Sequence, residues 1–124
     1  MEYTEKSSLH EFKRFCKTLE LRNDPELIAA YKKVHAKGAA WPEVIRGIHE
    51  VGIIDMEIYL VGTRLFMIMD TVPDFDHDRD MARLASLPGQ KEWEAHVAQF
   101  QRTSEEATAD EKWQIVERIF KLPD

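Results

Sequence analysis

The sequence has little cysteine, a minority of basic residues and no long apolar run. Cys16 is the only cysteine among 124 residues, which excludes an internal disulfide framework and suits a reducing cytoplasm. Lysine and arginine number 17 against 23 aspartates and glutamates, so we expect neither nucleic acid nor an anionic membrane as a partner. No apolar stretch approaches the roughly 20 residues that span a bilayer, and the polar N-terminus is unlike a secretory signal. We therefore expect a cytoplasmic protein.

The composition that remains is typical of a globular domain. Apolar residues make up 44% of the chain and charged residues 32%, which separates it from disordered proteins. A length of 124 residues is enough for one domain with its own core. Residues 1–11 are mostly polar and show no period, so we expect a flexible N-terminal extension followed by a domain at 12–124.

Apolar periodicity and breaker residues predict four strands and several helices. Asp24 before Pro25 indicates a helix start, because aspartate caps helices and proline suits the first helical position. Gly62-Thr63, between two alternating segments, predicts a hairpin. The predicted order is a strand at 12–21, helices at 25–37 and from Trp41 to just before Gly52, strands at 53–61 and 64–70, helices at 76–86 and 93–100, a surface loop at 102–111 and a strand at 113–121.

This order, β-α-β-β-α-β, is that of ferredoxin-like folds and predicts the α+β class. Such a sheet carries its helices on one face and leaves the other face uncovered. Because the predicted strands carry apolar side chains on both faces, we expect a second copy of the chain to cover the free face. The expected assembly is a homodimer.

Tyr31 and His35 form the first candidate for chemistry. Their i, i+4 spacing places both side chains on one helix face, and a hydroxyl beside an imidazole suits proton transfer to a polar ligand. Tyr31 also continues the apolar stripe of Leu27, Ala30 and Val34. The spacing alone therefore favours a core tyrosine beside a partly exposed histidine.

Several segments in order along the chain resemble the L-rhamnose mutarotase family of small dimeric α+β-barrel sugar epimerases. The resemblance runs through nearly the whole chain from Phe12 onward, and its strength lies in the order and spacing of its pieces. The matching segments are Lys17–Leu19, Tyr31-xxx-His35, Trp41-Pro42-Glu43, Glu57–Leu60, Leu65–Met69, Gln90-xx-Trp93 and Val116–Pro123.

The resemblance implies an enzyme that interconverts the α and β anomers of a six-carbon sugar. It implies His35 as the proton donor, Tyr31 as a ligand of sugar hydroxyls and Trp93 as a wall of the sugar site. It implies neither a metal nor an organic cofactor. Ring opening requires one proton to be delivered and another removed, which suits a histidine that titrates near neutral pH.

Two positions of the implied sugar site depart from the rhamnose enzymes. Met56 stands where the resemblance implies a sugar-binding tyrosine, and Glu92 stands where it implies a second tryptophan beside Trp93. Methionine lacks the hydroxyl and glutamate adds an acceptor, so the hydrogen bonds to the sugar must differ. Members of the family are also linked to L-fucose breakdown, so L-fucose and L-rhamnose are both candidate 6-deoxyhexoses.

The sequence also allows a metal site, a non-catalytic function and a different enzyme class to be considered. The segment 74–80 offers aspartates and a histidine, but its spacing matches no metal-binding loop, and acidic residues at a helix start explain it better. A non-catalytic ferredoxin-like dimer that binds a ligand or a protein is the alternative function, because this fold hosts many functions. A cofactor-free oxygenase on the same barrel explains neither the Tyr31-His35 pair nor Trp41-Pro42-Glu43.

Overall fold

The computed structural model describes residues 11–123. The extension predicted at 1–11 lies outside them except for its last residue, and it stays a prediction. The elements are β1 (Lys13–Glu20), α1 (Pro25–Val34), α2 (Pro42–Glu50), β2 (Ile53–Val61), β3 (Arg64–Thr71), α3 (His77–Ala85), α4 (Gln90–Ala98), α5 (Ala109–Lys112) and β4 (Gln114–Val116).

The four strands form one sheet in the order β2-β3-β1-β4. Every neighbouring pair is antiparallel, with β1 and β3 in the centre. Helices α1 and α2 connect β1 to β2, and the other three helices connect β3 to β4. This arrangement confirms the predicted α+β, ferredoxin-like fold.

One face of the sheet, the inner face, packs with the helices to form the core. Side chains at alternate positions of β1 and β3 point to it, and the helices contribute the rest of the same apolar cluster. The buried members include Leu19, Leu65, Met67 and Met69 from the sheet and Tyr31, Val44, Leu84, Trp93 and Val97 from the helices. The alternation also places Lys17 on this inner face, where it is buried.

The opposite face, the open sheet face, is formed by Cys16, Thr18, Glu57, Tyr59, Phe66, Ile68, Gln114 and Val116. Tyr59 is 51% exposed and Val116 38% exposed. Two ion pairs flank the apolar centre, one between Arg14 and Asp70 at 2.7 Å and one between Arg64 and Glu20 at 2.8 Å. This face is the one that the prediction of a dimer assigned to a second subunit.

Helix α2 packs closely against α4, and a side chain of α4 bonds the backbone of α2. Gln90 Nε2 donates a 2.9 Å hydrogen bond to the Val44 carbonyl oxygen. A Cβ at position 47 would lie 2.6 Å from that nitrogen, so Gly47 makes room for the contact. As a result Trp41, which precedes α2, packs against Trp93 of α4 with ring centroids 5.2 Å apart.

Helix α1 ends earlier than predicted, at Val34 rather than at residue 37. The ring of His35 bonds the Tyr31 carbonyl oxygen at 2.9 Å, and the His35 backbone N–H bonds Lys32 at 3.3 Å instead. The side chain thus takes the carbonyl that a continuing α-helix would use.

The C-terminal third of the chain also departs from the prediction. The strand predicted at 113–121 is limited to Gln114–Val116. Continuing its register with β1, in which Val116 faces Cys16, would place Arg118 opposite Arg14, a destabilising like-charge pair.

The predicted loop at 102–111 contains the start of α5. Thr108 and Glu111 form a capping box there, with bonds of 2.9 and 3.3 Å. The loop prediction was wrong at its last three residues. The Thr-x-x-Glu signature of a capping box starts α5 there.

Candidate active site

A cavity of about 440 Å³ lies between the inner sheet face and helices α1, α2 and α4. It is lined mainly by apolar side chains, with a small number of polar groups among them. Four of the predicted site residues line it, namely Tyr31, His35, Met56 and Trp93. An apolar cavity with a few converging polar groups is the usual form of a small-molecule site.

The hydrogen bond from His35 to the end of α1 fixes the state of its ring. The Tyr31 carbonyl oxygen can only accept, so the Nδ1 atom 2.9 Å away carries the proton. This tautomer leaves Nε2 with its lone pair free. Burial lowers the pKa of His35, while the bond to Tyr31 and the charge of Glu94 act against this. The imidazole is therefore mainly neutral at pH 7 and suited to accepting a proton at Nε2.

Tyr31 lies against the His35 ring, with ring centroids 4.3 Å apart. Its hydroxyl oxygen is 3.5 Å from Gln101 Nε2, which donates to it. Burial raises the pKa of Tyr31, so the hydroxyl stays protonated at neutral pH. Tyr31 can thus offer its proton to a ligand hydroxyl but does not act as a phenolate.

Gln101 connects Tyr31 to a buried lysine. Lys112 Nζ donates to Gln101 Oε1 at 2.8 Å and to the Glu94 carbonyl oxygen at 3.1 Å. It also pairs with the Glu94 carboxylate at 2.9 Å. With three acceptors the buried ammonium of Lys112 is satisfied, and it holds Glu94 at the cavity wall.

The Trp93 ring lines the cavity beside His35, and Trp41 and His96, which are not part of the lining, pack against Trp93. Trp93 lies edge-on to His35, with centroids 5.4 Å apart, and Trp41 stacks on His96 at 5.5 Å. Trp93 is only 7% exposed and lines the cavity. An indole beside a proton-accepting imidazole provides an apolar surface for the C–H groups of a small polar ligand.

The structure places the predicted site residues Met56 and Glu92 in different surroundings. Met56 lines the cavity, opposite Met69 in the β2–β3 register. Glu92 is exposed and lies outside it, because α4 turns Gln90, Trp93 and Glu94 inward. Within the protomer the carboxylate that α4 brings to the cavity wall is therefore that of Glu94, and Asp55 of β2 also lines the cavity. Contact between Glu92 and a ligand stays a prediction.

Lys17, which the sequence analysis named only within the Lys17–Leu19 segment and gave no role in the site, is among the polar residues of the cavity. Lys17 is 1% exposed and lines the cavity, and its backbone lies opposite Ile115 of β4. Burial lowers the pKa of Lys17 to about 8, against a smaller raising effect from Asp110. A signal was present in the sequence, since strand alternation puts this lysine on the same face as Phe15 and Leu19.

The acidic segment 74–80 has a structural role. The Asp76 side chain accepts from the Arg79 backbone N–H and caps α3, and Asp80 pairs with Arg79 at 2.9 Å. Residues 11–123 contain no cluster of three or more histidine, cysteine, aspartate or glutamate side chains that could hold a metal ion. Within the same range no helix is long and apolar enough to cross a bilayer.

Comparisons with solved structures agree with the fold. An L-rhamnose mutarotase from Formosa agariphila superposes with a TM-score of 0.67 at 18% identity, over 90% of this chain and 99% of that one. The tetracenomycin F2 cyclase of Streptomyces glaucescens superposes with a TM-score of 0.53 at 16% identity, over the same shares of the two chains. At these identities the similarity concerns the fold alone.

Comparisons of the sequence give information on the family as well as on the fold. An L-fucose mutarotase of Xanthomonas campestris pv. campestris is 37% identical over 111 residues, which are 90% of this chain and 89% of that protein. An L-rhamnose mutarotase of Brucella anthropi is 31% identical over 68% of this chain and 76% of its own length. The family profile described as L-rhamnose mutarotase matches residues 14–122. With its fold, its cavity and these matches, the chain belongs to the L-rhamnose mutarotase family.

Proposed function

We propose that this protein is a mutarotase that interconverts the α and β anomers of a 6-deoxyhexose. The observation that carries the proposal is His35, a largely neutral imidazole with a free Nε2, in an apolar cavity beside Tyr31 and Trp93. Anomer exchange passes through the open-chain aldehyde and needs proton transfer at the anomeric oxygen and the ring oxygen. An imidazole can accept a proton and return it, so it can take part in both directions of this exchange.

Tyr31 and Trp93 are proposed as the residues that position the sugar. The Tyr31 hydroxyl donates to a sugar hydroxyl, and the Trp93 ring covers the C–H groups of the apolar side of a 6-deoxy sugar. Met56 contributes an apolar surface to the same cavity. The proposed reaction uses protein side chains and requires no cofactor.

L-Fucose is the first sugar to test. The 37% identical relative is named an L-fucose mutarotase, whereas the relative named for L-rhamnose is 31% identical over a shorter region. L-Fucose and L-rhamnose differ in configuration at C2 and C4, so they offer hydroxyls in different directions. Met56 cannot supply the hydroxyl that the resemblance to rhamnose enzymes implies at its position, which favours a sugar other than L-rhamnose.

The test is exchange between the two anomers, measured by NMR magnetisation transfer with L-fucose and with L-rhamnose. We expect the protein to accelerate exchange above the spontaneous rate. His35→Ala should remove about 10²–10⁴-fold of the enzymatic rate, while Lys33→Ala, an exposed change on the same helix, should keep it. Parent protein without acceleration on either sugar would refute the proposal and favour a binding protein.

We also propose that the protein is a homodimer built on the open sheet face. Support comes from the exposed apolar side chains on that face, with Tyr59 51% and Val116 38% exposed. A cytoplasmic location is proposed as well, since Cys16 is a free thiol and a reducing compartment suits it.

A further inference from the structure

The Lys17 amine lies in the cavity without an acceptor of its own. Among residues 11–123 no hydrogen bond or ion pair involves its Nζ atom, although the residue is 1% exposed. Lys112, the other buried lysine, has acceptors at 2.8, 2.9 and 3.1 Å. The protein thus provides hydrogen-bond acceptors for Lys112, which has a structural role. The donors of Lys17 stay available to a ligand.

The charged and titratable groups around Lys17 leave it a cation without a direct partner. Asp110 acts on it only through its charge, and the Glu94 carboxylate is taken by Lys112. The titratable groups that face the cavity from the packed elements are Tyr31 and His35 of α1, His49 of α2, Asp55 of β2, Glu94 of α4 and, beside it, Asp110 of α5.

We propose, on the basis of the mutarotase function above, that Lys17 and His35 divide the two proton transfers of ring opening: the Lys17 ammonium donates to the ring oxygen, and His35 Nε2 accepts from the anomeric hydroxyl. Both groups line one cavity. The bond from His35 Nδ1 to the Tyr31 carbonyl leaves Nε2 as an acceptor, whereas Lys17 has only donors.

The step is balanced without any further reactant. His35 Nε2 removes the proton of the anomeric hydroxyl, and the O–H electron pair becomes the second bond of the C1 carbonyl. The C1–O5 bond breaks with its electron pair on O5, which takes a proton from Lys17 Nζ. After rotation about C1–C2, the neutral amine takes the O5 proton back, the freed O5 electron pair forms the C1–O5 bond on the other face of C1, and the second bond of the carbonyl moves onto O1 as an electron pair. The imidazolium then returns its proton to O1, so His35 is the proton donor in ring closure.

The ionisation states agree with this division. Burial lowers the pKa of His35 below its usual value, so the base is available at neutral pH. The pKa of Lys17 is lowered to about 8, which leaves the amine mainly protonated at pH 7 yet able to give up its proton. Two groups whose environments push their ionisation in useful directions are typical of an acid and base pair.

The test compares Lys17→Met, Lys17→Arg and Lys13→Met with the parent in the anomer-exchange assay. Lys13 lies on the same strand and is exposed, so it is a matched control and should keep the parent rate. Lys17→Met should lose about 10²–10⁴-fold. Lys17→Arg keeps the charge but gives up its proton poorly, so it should resemble the methionine variant.

The pH dependence provides a second readout. In the parent kcat/KM should fall above about pH 8, where Lys17 loses its proton, and below the lowered pKa of His35. NMR titration of ¹³C-labelled lysine side chains, assigned with Lys17→Met, should show one amine that titrates near pH 8.

Three results would overturn the assignment. These are an active Lys17→Met protein, a Lys17→Arg protein with the parent rate, which would show that only charge is needed, and an unchanged alkaline limb in either variant. A parent without anomer exchange would instead overturn the mutarotase function itself, and this division of proton transfers with it.

Discussion

Burial of a lysine costs free energy unless the ammonium is paired. The two buried lysines among residues 11–123 differ in this respect. Lys112 is paired with Glu94 and Gln101, so its charge is compensated. Lys17 is not compensated in this way, and its pKa is lowered to about 8 as a result. A residue that destabilises the fold and faces the cavity is typical of a functional site, where activity and stability compete.

Lys17→Met should therefore stabilise the protein at pH 7. A solvated lysine with a pKa of 10.5 and Lys17 with a pKa of about 8 differ by about 3 kcal/mol in the free energy of protonation. The unfolded state binds more protons between these two values, so the stability of the parent rises over that pH range. Methionine lacks the penalty, so the advantage of the variant is complete below about pH 8 and shrinks toward pH 10.5.

Urea unfolding at several pH values measures this difference, with Lys33→Met at an exposed position of α1 as the control, which should change stability by less than about 0.5 kcal/mol. A Lys17→Met protein that is less stable than the parent at pH 7 would show that the amine is paired in solution.

At the residue scale, the sequence could predict positions but not all of their roles. The Tyr31-His35 spacing correctly placed two rings side by side because helix geometry is local. Strand alternation places Lys17 among inward apolar residues, but it does not show whether the amine is paired or faces a cavity, because that depends on the packing of the helices. The sequence could not show which of Glu92 and Glu94 faces the cavity. The answer depends on the rotation of α4 about its axis, which is set by tertiary packing.

Helix α3 shows how an acidic segment serves an element rather than a metal. Asp76 caps its first turn, and the buried Asp80 accepts from the Asp76 backbone N–H at 2.8 Å and from Arg79. These bonds lower the pKa of Asp80, the one to Arg79 contributing most. The segment thus provides its own start signal and anchors the helix.

Asp80→Asn should lower the melting temperature at pH 7, because the amide is neutral and bonds Arg79 and the backbone less well. A lowered carboxylate pKa stabilises the fold above the unfolded pKa near 4, and this contribution is lost as the pH falls through the lower folded value. The difference between parent and variant should therefore become smaller as the pH falls below about 4. Calorimetry at pH 7 and pH 3 measures it, and Asp78→Asn at an exposed position is the control. Equal melting temperatures at pH 7 would contradict the anchoring role.

At the element scale, the sequence predicted which helices and strands are present better than it predicted the residues at which they end. Strong local signals, such as Asp24-Pro25 before α1 and the Gly62-Thr63 turn, correctly placed their elements. The end of β4 depends on whether Arg118 can face Arg14 across the sheet, which is a contact between distant residues. Such contacts are not visible in the periodicity of one segment.

At the scale of the whole molecule, the apolar surface is unevenly distributed. The helices cover the inner face of the sheet, whereas the open sheet face keeps exposed side chains such as Tyr59. After β4 the chain continues with Ile119, Phe120 and Leu122, which are 90%, 69% and 74% exposed. Large apolar side chains that are exposed in a protomer are a common mark of an interface between proteins.

This surface predicts a dimer that a single substitution can separate. The parent should scatter light with twice the 14.5 kDa mass of the chain, since a two-fold axis brings the same face of both subunits together. Tyr59→Arg should yield a folded monomer, because Tyr59 is 51% exposed in the protomer and an unpaired charge in an apolar interface is strongly unfavourable. Tyr59→Phe keeps the ring and should remain dimeric. A parent that is monomeric at micromolar concentration, or a Tyr59→Arg protein that still dimerises, would place the interface elsewhere or remove it.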